Sequence, residues 1–361
     1  MHFGVFDQNE RSGRPVAQQY RERLALLSLY EESGFYCYHM SEHHGTPIST
    51  TPSPSVFLAA VSQVTKTLRF GPLVYLLPGY SPLRLAEEIA MLDNLSGGRF
   101  EFGVGRGASP HEMGYLGVPA EAMQPMYTEA LDIIRNGLRD GVLDHQGQFW
   151  RYDGVELSLT PVQRPHPPMW VAVSSPDSAV WPARCGANIV VGAPAERARV
   201  IFQRYLDEAA ASAPPRDRFP LIGLNRYVLV AETDAAAVAL AARAWSVFYG
   251  HFIKLWRRYG GTPRIQMPEA FTDLRASGTA IVGSPETVRA VLAQQLEASG
   301  ANFLSGTFVF GDMTDAEARR SIGLFAREVM PVLRRVGPDA HSQLLKSVAN
   351  TAVAASGGHH E

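Results

Sequence analysis

The residues best suited to acid–base chemistry lie in one short segment, SEHH at positions 41–44, which directly follows an apolar run. Imidazole titrates near neutral pH, so a histidine beside a carboxylate can take up or release a proton under ordinary conditions. A structural role and a metal site are the alternatives. Consecutive strand residues point to opposite faces, which disfavours convergence on one ion, and the sequence has no HExxH pattern.

Two other segments have the composition of an anion site. GVGRG at 103–107 places glycines at alternate positions, so its backbone could approach a ligand closely while the arginine makes a forked contact to phosphate. Its spacing is not that of the GxGxxG dinucleotide motif. SSPDS at 174–178 begins a helix, where hydroxyls and unpaired N–H groups attract anions. A tight turn with a surface arginine and an ordinary helix cap remain the alternatives.

All three segments end predicted strands. Short apolar runs alternate with amphipathic helical stretches, which favours parallel pairing with right-handed crossovers. Eight strands are predicted, at residues 3–6, 35–40, 68–77, 100–104, 169–173, 189–191, 223–231 and 302–310. Eight units, each followed by a helix, favour an α/β fold that closes into a (β/α)8 TIM barrel with insertions over an open doubly wound sheet. Functional residues of such barrels lie at the carboxyl ends of the strands.

Some stretches do not fit this alternation. Residues 144–168 carry glycines, prolines and alternating apolar residues, which predicts a hairpin-like insertion. Residues 250–280 are rich in Arg, Gly and Pro, which predicts a long excursion or lid. We expect a single barrel domain over residues 1–335 and a mobile tail over residues 336–361.

Composition narrows the class of protein. Of 361 residues, 46% are hydrophobic and 19% are charged, with a formal net charge of −2, which argues for a globular protein and against a nucleic-acid partner. Cys37 and Cys185 are the only cysteines, so a reducing compartment is expected. The start has no signal-peptide pattern, and no run approaches about 18 apolar residues, so we expect a cytoplasmic protein without a membrane span.

Six segments, taken in order, resemble the bacterial luciferase family of flavin-dependent monooxygenases. They are MHFGVF at the start, SEHHG, the run LLPGYSPLRLAEEIAMLDNLSGGRFEFGVGRG, VAVSSPDSAVWPARCG, GSPETV and REVMPVL. The resemblance extends over roughly residues 1–335, and the long central run is its most specific part. It implies a (β/α)8 barrel that holds FMN at the carboxyl-terminal mouth.

The resemblance also implies roles for individual residues. His43, the first histidine of the EHH segment, is the expected catalytic group, and Glu42 and His44 are neighbours that tune it. The cofactor-binding residues implied by position are Leu73, Val74, Gly105, Arg106, Gln124, Ser174, Ser175 and Ser178.

Within this set the flavin ring and its phosphate have separate partners. The bond Leu73–Val74 is expected to be a cis peptide beside the isoalloxazine, and Arg106 is expected to hold the phosphate together with the serines. Gly105 stands where luciferases have a reactive cysteine, and Gln124 stands where a second phosphate-binding arginine is expected. These departures argue against light emission and a long-chain aldehyde substrate.

The resemblance implies a two-component monooxygenase. A separate reductase would supply reduced FMN, because the chain has no nicotinamide-binding fingerprint, and a C4a-peroxyflavin would oxygenate a small organic substrate. A deazaflavin-dependent hydride-transfer dehydrogenase and a non-catalytic flavin-binding protein are the alternatives. Relatives dimerise through the second and third helices, so a homodimer that uses residues 56–64 is expected. Phe6 and Tyr75 are expected to line an apolar substrate pocket.

Overall fold

The strands and helices follow the predicted order along the chain. The computed structural model describes residues 1–212 and 220–335, so the tail predicted over residues 336–361 lies outside the described residues. The strands are β1 His2–Asp7, β2 Cys37–Met40, β3 Arg69–Pro72, β4 Tyr75–Leu76, β5 Phe102–Gly105, β6 Val142–Gln146, β7 Arg151–Glu156, β8 Met169–Ala172, β9 Asn188–Val191, β10 Ile222–Val230, β11 Ala280–Gly283 and β12 Phe303–Thr307. The helices are α1 Val16–Glu32, α2 Pro54–Val64, α3 Pro82–Leu95, α4 Pro110–Tyr115, α5 Met123–Asp140, α6 Val180–Cys185, α7 Ala195–Ser212, α8 Asp234–Tyr259, α9 Phe271–Ala276, α10 Pro285–Ser299 and α11 Asp315–Leu324.

Parallel pairing closes the sheet nearly into a barrel. The strand order is β3-β2-β1-β12-β10-β9-β8-β5-β4. The end strands β3 and β4 follow each other in the chain and together occupy one strand position of the barrel wall, which we call a stave. This stave is interrupted at Leu73 and Val74. Phe70 of β3 forms a parallel bridge to Phe100, just before β5. Eight staves are therefore present, and the predicted (β/α)8 barrel is confirmed.

Several elements differ from the prediction. The run 68–77, predicted as one strand, is broken between β3 and β4. β11, which was not predicted, pairs with the carboxyl half of β10 and lies outside the strand order of the barrel. The segment between β10 and β12 therefore contains a strand as well as helices. The excursion predicted at 250–280 is partly wrong, because residues 250–259 complete α8 and α9 follows; residues 260–270 are the irregular stretch between them.

The predicted insertion after α5 is confirmed as a hairpin. β6 and β7 pair antiparallel, with Val142 opposite Glu156. Glu129 of α5 anchors the hairpin loop, because its carboxylate accepts a hydrogen bond from the N–H of Trp150 at 2.9 Å. The short helix α4, which lies between β5 and α5, was not predicted.

Alternation along the strands divides side chains between the barrel lumen and the surrounding helices. Asp7 of β1 points to the helices, where Arg23 of α1 pairs with it at 3.1 Å. The lumen contains an apolar cluster, whose members include Phe6, Cys37, Leu73, Trp170, Val190 and Phe303. Gly4 faces the ring of Phe303, which a Cβ at this position would approach to 2.4 Å. Glycine is therefore needed where this large ring fills the lumen.

A buried charged network occupies the amino-terminal end of the lumen. Glu101, which is fully buried, accepts hydrogen bonds from Tyr36 Oη at 2.6 Å and from Arg69 and Trp170. Burial alone would raise the pKa of Glu101, but His39 and the Arg69 guanidinium hold it down at about 2. The carboxylate is therefore ionised. Its hydrogen bonds are made at the end of the barrel opposite the carboxyl-terminal mouth.

Helix α8 is the one helix, among the residues the structure describes, with the length and composition to cross a membrane. One of its faces is buried, and the buried residues on this helix are Ala237, Ala241, Ala244, Trp245, Phe248 and Leu255. Arg257 and Arg258 lie in its last turn. An apolar stripe with a charged end is the pattern of an amphipathic helix that packs on a core.

Candidate active site

The structure places His43 at the carboxyl-terminal mouth beside a buried carboxylate. Nδ1 of His43 lies 3.1 Å from Oε2 of Glu112, which is only 5% exposed and belongs to α4. The same carboxylate accepts the N–H of His44 at 2.8 Å. Because a carboxylate at Nδ1 favours a proton on that nitrogen, Nε2 of His43 is the nitrogen available to exchange a proton. His43 keeps 23% of its side chain exposed, so this exchange is sterically possible.

Glu42 and His44 form a second histidine–carboxylate pair, which is separate from the His43–Glu112 pair. Glu42 is 3% exposed, and its carboxylate lies 2.8 Å from Nε2 of His44. It also accepts hydrogen bonds from Tyr80 Oη at 2.8 Å and from the N–H of Leu76 at 3.2 Å. The hydrogen bond that His44 donates to Glu42 raises the pKa of His44, against the opposing effect of burial. These contacts hold the end of β2 against β4, so Glu42 and His44 position the segment.

Glu112 is the functional residue that the sequence analysis missed. Its helix begins with Ser109 as N-cap, and the hydroxyl of Ser109 accepts the N–H of Glu112. Ser followed three residues later by Glu is the usual pattern of a helix start. The local pattern therefore explains Glu112 as a capping residue and contains no sign of its partner, which lies 69 residues earlier in the chain.

The predicted phosphate-binding residues come together at the ends of two neighbouring strands. β5 pairs with β8, so Arg106 and the serine loop follow adjacent staves. In the serine loop, Ser178 Oγ accepts the N–H groups of Ser174 at 3.2 Å and Ser175 at 3.0 Å. Within the described ranges, the guanidinium of Arg106 makes no hydrogen bond and no ion pair. An unpaired cation beside a hydroxyl-rich loop is suited to an anionic group.

The two departures from the luciferase pattern have different physical explanations. A Cβ at Gly105 would lie 2.5 Å from Cγ2 of Val74, so a cysteine does not fit there without movement of that side chain. Gln124 is exposed, and its Nε2 lies 3.4 Å from Thr128 Oγ1 on the same helix. Gln124 supplies no charge at this position.

The predicted ring-binding segment has the expected backbone. The peptide bond between Leu73 and Val74 is cis, as the resemblance implies. Gly103 of β5 packs against this segment, because a Cβ on Gly103 would approach the carbonyl oxygen of Pro72 to 2.5 Å. The segment between β3 and β4 therefore packs closely against the glycines of β5, below the mouth.

The two residues expected to line a substrate pocket have different positions. Phe6 is partly buried against the lumen cluster, and its role in a pocket stays a prediction. Tyr75 does not line a pocket, because it is fully buried and its hydroxyl bonds Ser55 Oγ of α2 at 2.7 Å. The alternation of the stave turns Tyr75 to the helical side, where it fills the space under α2.

Three buried polar atoms at the mouth lack partners. Gln8 Oε1, Ser41 Oγ and Thr307 Oγ1 have no hydrogen bond in the structure, and all three residues are less than 10% exposed. They belong to the ends of β1, β2 and β12, which are adjacent staves. Buried polar groups are normally satisfied, so these atoms fit a bound heterocycle that carries carbonyl and N–H groups. No group of three or more His, Cys, Asp and Glu among residues 1–212 and 220–335 could hold a metal ion.

The (β/α)8 barrel carries a histidine–carboxylate pair, an unpaired arginine and unsatisfied polar atoms at its mouth, an arrangement suited to an enzyme with a heterocyclic cofactor. The chain belongs to the luciferase-like monooxygenase family, whose family model matches residues 1–302.

Known relatives agree with this family. The chain is 40% identical to an uncharacterized protein, y4wF, of Sinorhizobium fredii over 86% of this chain and 91% of that one. It is 29% identical to the oxygenase component of the flavin-dependent trigonelline monooxygenase of Acinetobacter baylyi, over 70% of this chain and 71% of that one. The solved structure of the monooxygenase RslO1 from Streptomyces bottropensis superposes with a TM-score of 0.82 at 26% identity, covering 92% of this chain and 99% of that one.

Proposed function

We propose that this protein is the oxygenase component of a two-component, FMN-dependent monooxygenase that acts on a small organic substrate. The observation that carries the proposal is the His43–Glu112 pair, which lies at the carboxyl-terminal mouth, the end at which barrels of this fold carry their functional residues. A separate reductase would supply reduced FMN. The curated relative that is named as an oxygenase component supports this division of labour.

The residues that would hold FMN lie on neighbouring staves. Arg106, Ser175 and Ser178 would bind the phosphate, and the segment around Leu73 and Val74 would support the ring. Bound reduced FMN supplies the reaction with molecular oxygen, which protein side chains alone do not perform.

The side chains of this chain would control protons and water around that chemistry. His43 would exchange a proton at Nε2, while Glu112 holds the imidazole ring by Nδ1. Tyr115 Oη of α4 donates to Tyr259 Oη at the end of α8 at 3.0 Å, so the end of α8 is held against α4. With flavin bound, these elements would help to keep water away from its reaction with oxygen.

Stopped-flow absorbance tests the proposal. The protein is loaded anaerobically with reduced FMN and mixed with oxygenated buffer. We expect a C4a-peroxyflavin-like absorbance band that outlives the oxidation of free reduced FMN. His43→Ala should change the decay rate of this band roughly 100-fold. The matched control is His145→Ala, because His145 pairs with Glu129 at 3.3 Å on the hairpin and should leave the decay unchanged.

Other outcomes identify the alternative functions. Tight binding of reduced FMN without any change in its oxidation would indicate a flavin-binding protein that lacks catalysis. Binding of a deazaflavin with oxygen-independent hydride transfer to or from an alcohol would indicate a dehydrogenase of the same fold. If the mixture of protein, FMN, NADH and oxygen oxidised NADH without an added reductase, the two-component assignment would be wrong.

A further inference from the structure

The phosphate end of the proposed flavin site contains one cationic side chain, Arg106, whereas the phosphate it would bind carries nearly two negative charges. Arg106 is half-buried at the mouth and forms no ion pair among the described residues. Gln124, which takes the place of the expected second arginine, is neutral and exposed. A phosphate monoester carries nearly two negative charges at neutral pH, and two forked contacts bind it better than one.

A second arginine, from a different part of the chain, acts electrostatically on Arg106. Arg264 belongs to residues 260–270, the irregular stretch between α8 and α9. Burial and the nearby positive charge of Arg264 lower the pKa of Arg106. Arg264 itself is exposed and has no ion-pair partner in the described ranges. Two neighbouring guanidinium groups without a carboxylate repel each other, and an anion between them removes that repulsion.

Contacts at both ends of this stretch fix where it runs. At its start, Nε2 of His111 bonds the carbonyl oxygen of Gly260 at 3.2 Å, and the ring of His111 packs against Trp256. His111 belongs to α4, which begins four residues after Arg106. At its other end, Trp245 Nε1 donates to the carbonyl oxygen of Pro268 at 3.2 Å. The stretch therefore begins at the end of α8, in contact with α4, and comes back against α8 near Pro268. Arg264 lies between these two contacts.

We infer that Arg264 is the second phosphate-binding group of the flavin site and replaces the arginine that is missing at position 124. This inference rests on the proposed function and adds a cofactor-binding residue that comes from the α8–α9 stretch. It assigns to that stretch a direct contact with the cofactor.

Arg197 is the rival for this role. It lies on the first turn of α7, and its Nη2 already donates to the carbonyl oxygen of Ser174 at 3.3 Å. This contact supports the backbone of the serine loop. Arg197 is therefore expected to act on the loop, whereas Arg264 is free to contact the ligand directly.

Comparison of FMN with riboflavin isolates the phosphate contact. Equilibrium dialysis under anaerobic conditions measures the Kd of each reduced flavin for the full chain. Arg264→Ala should weaken binding of FMN roughly 10- to 100-fold, the usual effect of losing hydrogen bonds to a charged group. Riboflavin lacks the phosphate, so its Kd should change by less than about twofold. The loss for FMN should also shrink as salt concentration rises.

Three further variants make the result decisive. Arg258→Ala removes a neighbouring exposed arginine that stacks on Tyr259, and it should leave both Kd values unchanged. Gln124→Arg in the Arg264→Ala background should restore much of the FMN affinity, because it returns a cation to the start of α5. Arg197→Ala should weaken FMN less than Arg264→Ala does.

Distinct results would overturn the inference or the proposed function. An unchanged FMN affinity in Arg264→Ala, or an equal loss for FMN and riboflavin, would show that Arg264 does not bind the phosphate. Equal affinity of the unaltered protein for FMN and riboflavin would exclude any phosphate contact. Failure of the unaltered protein to bind either flavin would instead refute the proposed function.

Discussion

The carboxylate of Glu112 acts on two neighbouring residues of the mouth. It orients the ring of His43 through Nδ1 and fixes the backbone of His44 through its N–H group. The EHH segment, Arg106 and the serine loop could be found in the sequence because each is a local motif at the end of a strand. Glu112 and Arg264 could not, because their roles depend on contacts between elements that are distant in the chain.

Replacement of Glu112 by Gln tests whether its charge matters. The amide keeps an acceptor for the N–H of His44 but removes the negative charge beside His43. We expect the oxygen-dependent flavin species to decay at a rate altered roughly 10-fold or more. FMN affinity should stay within about twofold, as dialysis can measure.

The matched control for this variant is Glu129 of α5, which pairs with His145 of the hairpin at 3.3 Å. Glu129→Gln should leave the decay rate of the flavin species unchanged. If both variants behaved alike, or if Glu112→Gln changed only protein stability, Glu112 would not position a proton-exchanging group.

Glu101 allows a prediction about stability and pH. Its folded pKa of about 2 lies below the ordinary value of about 4.3 for a glutamate, so the ionised form stabilises the fold. This contribution is fully present above the unfolded pKa and is lost as pH falls towards 2. Glu101→Gln should lower the free energy of unfolding at pH 7 by about 3 kcal/mol, because Arg69 loses its buried partner.

Urea unfolding at several pH values checks this prediction. The difference between the unaltered protein and Glu101→Gln should be constant from about pH 7 to 5 and should shrink below about pH 4.5. Glu88→Gln is the control, because Glu88 forms an exposed ion pair with Arg84 and should change stability by less than about 0.5 kcal/mol. A difference that stayed constant down to pH 3 would contradict the assigned pKa shift.

At the scale of elements, the strands that the sequence indicated are those with a clear apolar run. β11 was missed because Ala280–Gly283 is only four residues long and follows an irregular stretch. The division between β3 and β4 was missed because residues 70–77 contain no charged residue that would mark a break. The break is set by the close approach of the neighbouring glycine strand, and a contact of this kind leaves no periodic pattern in the run itself.

Substitution of glycine by alanine is expected to have opposite effects on stability at two positions. A Cβ at Gly71 in β3 would lie 1.9 Å from the carbonyl oxygen of Glu101, which is backbone and cannot move easily. Gly71→Ala should therefore destabilise the barrel by at least about 2 kcal/mol. Gly250, inside α8, has open space around its Cβ position, so Gly250→Ala should stabilise the protein by about 0.5–1 kcal/mol through helix propensity.

Thermal and urea unfolding of the two variants measure these effects. The Tm of Gly71→Ala should fall by several degrees, while that of Gly250→Ala should rise slightly. Equal destabilisation by both substitutions would mean that glycine at position 71 is not required by the packing between β3 and the start of β5.

At the scale of the whole molecule, the barrel could be predicted because alternating strands and helices leave few topologies. The mouth could be predicted only in part. The order of strands brings the EHH segment, the glycine strand and the serine loop to one end, whereas the path of residues 260–270 depends on aromatic contacts around α4 and α8. Irregular stretches of this kind have no period from which their course could be deduced.

The outer surface of α2 and α3 gives a prediction about assembly. These neighbouring helices expose apolar side chains, with exposed fractions of 73% for Val56, 47% for Val64, 51% for Met91 and 51% for Leu95. An exposed apolar patch of this kind is costly in water and typical of an interface. We therefore expect a homodimer, as the resemblance implies, in which this patch meets its copy on the partner.

Sedimentation velocity over a concentration series tests this assembly. Val56→Glu should weaken the dimer roughly 30-fold or more, because a charge at the centre of an interface loses its hydration without gaining a partner. Val200→Glu is the matched control, since Val200 is 59% exposed on α7, away from this patch. A monomeric unaltered protein at micromolar concentration would refute the dimer. Equal weakening by both variants would place the interface elsewhere, because a charge outside the α2–α3 patch would then disturb association as much as one within it.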